Sequence, residues 1–124
     1  MKYYIIAGEA SGDLHGSNLM KGIYAADPQE EIRFWGGDLM LNVYNAGDGT
    51  GTGLVRHYKE GAVMGFVEVL AKAGNLLKNV KFCKEDILAW KPDVVILIDY
   101  PGFNFKIAEF AHKAGFKAVY YIAP

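Results

Sequence analysis

Two short stretches hold most of the side chains able to do chemistry, GEASGDLHG (8–16) and DYPGFN (99–104). In the second, Asp99 closes a strongly apolar run, where a charge is costly unless it stands at the end of a sheet or is paired. Partial desolvation by Tyr100 and Phe103 would raise its pKa and suit it to general-base work. The spacing equally allows Asp99 to cap a helix starting near Gly102-Phe103. The first stretch sets Glu9, Ser11, Asp13 and His15 among Gly8, Gly12 and Gly16. That glycine spacing is not GxGxxG, and no Gly-Lys-Ser/Thr follows, so neither standard nucleotide motif is met. A phosphate held on bare amides would also be repelled by Glu9 and Asp13. The glycines therefore read as a tight turn, with Ser11 or Asp13 capping the helix that follows and Glu9 facing a neutral or hydroxyl-bearing ligand. A purely structural turn and cap stays open beside that reading.

The remaining reactive types add little. His15, His57 and His112 are dispersed without metal-ligand spacing, and Cys83 is the single cysteine, which excludes an internal disulfide and a CxxC site and fits a reducing compartment. At helical spacing Cys83 reads as a small buried hydrophobe.

Both loops must be held by strands. YYIIA (3–7) reads as a buried strand, and apolar residues over 13–26 give a helix that stops at Asp27-Pro28. EIRFWGG (31–37) reads as a second strand, DLMLNVYNAG (38–47) as a short helix, GDGTGTG (47–53) as a loop, and LVRHY (54–58) as a third short strand. From Met64 to Trp90 the pattern predicts one long amphipathic helix or two joined near Gly74-Asn75. PDVVILID (92–99) is continuous apolar, as in a parallel strand covered on both faces. NFKIAEFAHKAG (104–115) is a helix ended by glycine, and KAVYYIA (117–123) is a further strand. Alternating strands and helices predict a doubly wound, Rossmann-like α/β parallel sheet, with ligands at the carboxyl ends of the strands.

GAVMGFVEVL (61–70) is nearly all apolar around Glu68; it reads as core, or as an apolar lip for a greasy ligand or membrane surface, with Lys72, Lys78, Lys81 and Lys84 facing anionic headgroups. The 124 residues amount to about one domain, 52% hydrophobic, with a net charge of −1. A near-neutral balance speaks against a nucleic-acid partner, whose footprint is a basic face. The amino-terminal apolar run is far short of the ~20 residues that span a bilayer. Because Pro124 directly follows a strand, the chain is expected to be a fragment.

Three stretches together, AGEASGDLHGSNLMKGI (7–23), GAVMGFVEVL (61–70) and ILIDYPGFNFKIAEFAHKAGFKAVYYIAP (96–124), with FWGGDLM (34–40), resemble the amino-terminal part of the lipid-A-disaccharide synthases. The resemblance implies residues 1–124 of a partial, acceptor-side lobe in a two-lobed inverting glycosyltransferase, the carboxy-terminal nucleotide-sugar lobe being absent. It implies transfer from UDP-2,3-diacylglucosamine to the 6-hydroxyl of 2,3-diacylglucosamine 1-phosphate (lipid X), on the cytoplasmic face of the inner membrane as a peripheral protein. No cofactor and no protein-held metal are implied, and a homo-oligomer is allowed. Asp99 falls on the family's proposed general base. Glu9, Ser11, Gly12 and Asp13 fall on the first signature loop and Met64, Gly65 and Glu68 on the second, with Asn104 placed among the substrate-binding positions. Many relatives carry a second aspartate where Gly102 stands, so Asp99 must act without it. The 124 residues alone are expected not to turn over. The alternatives are a flavodoxin-like or dinucleotide-binding module, which the fold would permit, and a non-catalytic membrane-surface module using 61–84.

Overall fold

The computed structural model describes residues 1–47, 53–61 and 66–122. Five strands form one wholly parallel sheet: β1 (Lys2–Ala7), β2 (Glu31–Gly36), β3 (Leu54–His57), β4 (Val94–Ile98) and β5 (Lys117–Ile122). Their order across the sheet is β3-β2-β1-β4-β5. The helices are α1 (Ala10–Ala26), α2 (Asp38–Gly47), α3 (Phe66–Trp90) and α4 (Pro101–Ala114), with a 3-10 turn over Tyr58–Gly61. The doubly wound class expected from the alternation is what forms.

Period-two patterning assigns the two faces. Ile5, Ala7, Phe34 and Ile98 pack against α1 and α2 through Met20, Ile23, Met40 and Tyr44. Tyr4, Ile6, Trp35, Val95 and Leu97 point the other way, onto Val80, Cys83 and Ile87 of α3 and Phe103 and Ile107 of α4. Burial pushes the Cys83 thiol up to about 12, which fits the small hydrophobe read from its spacing. Two glycines make room on the first face. A Cβ at Gly16 or Gly36 would overlap the Met40 side chain, whose sulfur fills the notch between α1 and β2.

On the second face a partly buried polar chain ties β1, β2 and α3. The Tyr4 hydroxyl donates to Asp86 (2.7 Å) and accepts from Trp35 Nε1 (2.8 Å), while Arg33 grips both Asp86 oxygens at 2.7 Å. Burial opposes ionisation of Asp86, but the hydrogen bonds from Arg33 and Tyr4 and the arginine charge outweigh it and hold the carboxyl below the ordinary range. Burial pushes the Tyr4 phenol well above its usual value.

Several boundaries differ from the sequence reading. The stretch from Phe66 to Trp90 is one helix, continuous across Gly74-Asn75. Helix α4 begins at Pro101 rather than Asn104, because proline at the first helical position loses no hydrogen bond there. Gly115 closes α4 at φ 84°, as its terminal glycine promised. Of the expected 47–53 loop, residues 48–52 lie outside the described residues.

Candidate functional site at the β1–β4 switch point

From β1 the chain winds outward through β2 and β3 on one side and through β4 and β5 on the other, so strand order reverses between β1 and β4. A crevice opens at the carboxyl ends there. Ala7 pairs with Ile98, which brings Gly8 and Asp99 out of the sheet side by side. The two polar loops singled out in the sequence therefore meet, although 91 positions separate Gly8 from Asp99.

The turn after β4 is tightly constrained. Asp99 and Tyr100 are both left-handed, at φ 47° and 56°, a conformation costing about 1–3 kcal/mol per non-glycine residue unless its surroundings impose it. Those surroundings are present: Asp99 N–H donates to Ile122 O (2.8 Å), Asn104 N–H to Tyr100 O (2.8 Å), and the Asn104 side-chain amide to Asp99 O (2.7 Å). Asn104 is fully buried. Its Nδ2 also approaches Ile98 O at 3.5 Å and Ile6 O at 3.4 Å, while its Oδ1 is buried without a partner among the described residues. Tyr100 stacks on Phe103 (4.9 Å, 6°) and lies over Gly8, where a Cβ would overlap its ring.

Asp99 does not cap α4. The cap position is Tyr100, with no side-chain cap bond, and the half-buried Asp99 carboxylate has no hydrogen bond or ion pair among the described residues. In the first loop Glu9 occupies the cap position of α1 with extended backbone and no side-chain cap bond, and both Glu9 and Ser11 are exposed. Gly12 is buried, and a Cβ there would press on Ala7 at 3.1 Å, so it sets the approach of α1 to the sheet.

Asp13 has a different partner from the expected one. Instead of capping α1 it lies within it, 3% exposed, and accepts from the backbone N–H groups of Gly37 (2.8 Å), Leu39 (3.0 Å) and Met40 (3.0 Å). These are amides at the start of α2, which α2 cannot satisfy for itself. Met64 and Gly65 lie outside the described residues, and Glu68 falls in the first turn of α3. His15 is exposed on α1. Among the described residues no cluster has metal-binding composition, and no helix is long and apolar enough to cross a membrane.

Beside this crevice, on the α3 side, lies a cavity of about 480 Å³ reaching from Ala7 and Gly8 past Tyr100 to Trp35, Arg56, Tyr58, Lys78 and Phe82. The sequence reading assigned no site there. Its one available signal was Arg56, a charge beside His57 at the carboxyl end of a short strand.

A parallel sheet of this order with polar loops at its switch point defines a Rossmann-like α/β lobe, a class in which ligands bind at the strand ends. The chain belongs to the lipid-A-disaccharide synthetase family, whose model matches residues 3–124. That is a family of glycosyltransferases of lipid A biosynthesis. The Geobacter metallireducens lipid-A-disaccharide synthase is 45% identical over 120 residues, covering 97% of this chain and 29% of that protein. The Trichlorobacter lovleyi enzyme is 41% identical over 124 residues, covering 97% and 30%. The chain thus spans about 30% of the length of these relatives. In fold it is similar to the UDP-GlcNAc 2-epimerase of Neisseria meningitidis, with a TM-score of 0.55 at 11% identity over 97% of this chain and 32% of the other.

Proposed function

We propose that residues 1–124 form the acceptor-side part of a lipid-A-disaccharide synthase in which Asp99 is the general base. The reaction is inverting transfer of the hexosyl group of UDP-2,3-diacylglucosamine to the 6-hydroxyl of 2,3-diacylglucosamine 1-phosphate. The observation that carries this reading is the Asp99 carboxylate itself, half-buried at the switch point, unpartnered among the described residues, on a backbone pinned from two sides. A hydroxyl is a weak nucleophile at neutral pH. A carboxylate that takes its proton as the oxygen attacks the anomeric carbon lets one displacement suffice, with UDP as leaving group.

Glu9 and Ser11, exposed on the adjoining loop, are the side chains offered to the sugar. Met64, Gly65 and Glu68 are assigned to substrate binding by the family resemblance alone. Gly12, Asp13 and Asn104 act one step back: they are buried and fix where the loops stand. Contact with the cytoplasmic face of the inner membrane is supported by α3 and α4, where Leu77 (60% exposed) and Phe105 (56%) stand among Lys81, Lys84 and Lys106 around a groove.

The test is Asp99→Asn and Asp99→Ala in the full-length enzyme carrying this chain, with folding checked by circular dichroism. Turnover is expected to fall roughly 10²–10⁴-fold, the usual worth of a positioned base. Turnover near wild type would remove Asp99 from the mechanism.

A further inference from the structure

We propose that the cavity between the strand ends and α3 is a binding site for a phosphorylated sugar, with the phosphate held by Arg56 and Lys78 and the ring against the aromatic wall. The observation that leads there is an unpaired guanidinium. Arg56 is half-buried, lines the cavity and lies over the Phe82 ring with its guanidinium carbon 4.4 Å from the centroid. It makes no hydrogen bond or ion pair with any described residue. Two carboxylates on this side are occupied: Asp86 is gripped by Arg33 and Tyr4, and Asp38 pairs with His57 Nε2 at 2.8 Å. None of the described residues that line the cavity is acidic, while Arg56 and Lys78 both do.

A planar guanidinium left with its five donors beside a second cation fits the oxygens of a phosphate, which it can meet two at a time. Trp35, Phe82 and Tyr100 supply flat apolar surface, and His57 Nδ1 is already engaged, accepting from Lys59 N–H at 3.1 Å. Nor is the place arbitrary. Tyr100, from the Asp99 turn, and Gly8, which its ring covers, both line the cavity, so an anion seated on Arg56 would anchor one end of a sugar whose other end reaches the crevice. Assigning this anion to the acceptor of the transfer reaction rests on the function proposed above; the site itself does not.

The experiment titrates the ¹⁵N-labelled chain with glucosamine 1-phosphate, glucosamine, inorganic phosphate and UDP. Glucosamine 1-phosphate is expected to shift the Arg56 Nε–H and Trp35 indole resonances. Arg56→Met should weaken it at least about tenfold, the loss of one charge-assisted contact, with Arg56→Lys recovering part because charge without the fork remains. Equal binding of inorganic phosphate would reduce the site to a general anion trap, and tighter binding of UDP would assign it to a nucleotide; either result overturns the proposal, as does the absence of shifts. In the full-length enzyme Arg56→Met should raise KM for the phosphate-bearing acceptor about tenfold and leave KM for the nucleotide-sugar donor unchanged. Hexosyl transfer with an unaltered acceptor KM sinks the site and spares the function. Glucosamine 1-phosphate binding through Arg56 in a full-length protein without hexosyl transfer does the reverse.

Discussion

The side-chain amide of Asn104 donates to the backbone carbonyl of Asp99 at 2.7 Å, from a position wholly out of contact with water. It thereby holds the residue proposed as base without touching what that base would act on. Asn104→Ala leaves the Asp99 carbonyl short of its donor and frees a left-handed pair to relax, so a loss of about 1–3 kcal/mol is expected. Asn104→Asp presents a carboxylate oxygen to that carbonyl and should be worse. Urea unfolding measures both. In the full-length enzyme kcat should fall with little change in KM, because the base is displaced while binding groups stay.

Gly8 and Tyr100 are expected to be coupled. Gly8→Ala drives a methyl group into the Tyr100 ring, and forced packing of this kind costs about 1–3 kcal/mol. Tyr100→Ala removes the obstacle while losing the stack on Phe103. The double variant should accordingly be less destabilised than the sum of the singles in a thermal-unfolding cycle; strict additivity would show that the two loops do not press on each other.

Asp13 supports α2 from α1. Asp13→Ala strands three amides at the start of α2, and each buried donor left unpaired costs about 1–3 kcal/mol. The variant should lose helix and show fast amide exchange over 38–47. Asp13→Asn, which keeps one acceptor oxygen, should fall between it and the parent.

Stability should fall at both ends of the pH scale. The folded pKa of Asp86 is depressed, so its contribution is present above the unfolded carboxylate value, near 3.8, and is lost as pH falls through the lower folded value. Cys83 and Tyr4 are raised instead. Cys83 contributes fully below its unfolded value of 9.0 and loses that contribution as pH climbs to about 12, with Tyr4 adding to the decline from 10.0 upward. Urea midpoints against pH measure this, and Cys83→Ala should flatten the decline most between pH 9 and 10, where the unfolded thiol is more fully ionised than the unfolded Tyr4 phenol.

The sheet was legible because each strand carries its own pattern: continuous apolar residues in PDVVILID, β-branched and aromatic residues in YYIIA, and glycine closing α4. The meeting of the two loops followed from Rossmann-like winding and needed no contact information. Partnerships between distant segments were not legible. Asp13 is 24 positions from Gly37, and nothing local distinguishes a carboxylate that caps its own helix from one that caps the next. Arg56 and Phe82 meet only after α3 crosses back over the sheet, so neither marks a cavity by itself. Asp99 lay between these cases: the sequence left base and cap equal, and the αL turn at Asp99-Tyr100 decided against the cap by moving that position to Tyr100.

The notch that Gly16 and Gly36 leave for Met40 has a chemical corollary. The thioether is completely enclosed, and an oxygen added to its sulfur would find the space already taken by two backbones. Peroxide can therefore reach Met40 only when α1 and α2 part from the sheet, whereas Met1, 56% exposed, reacts from the closed state. The ratio of the two sulfoxides after a timed exposure becomes an internal clock for how often this face of the molecule opens.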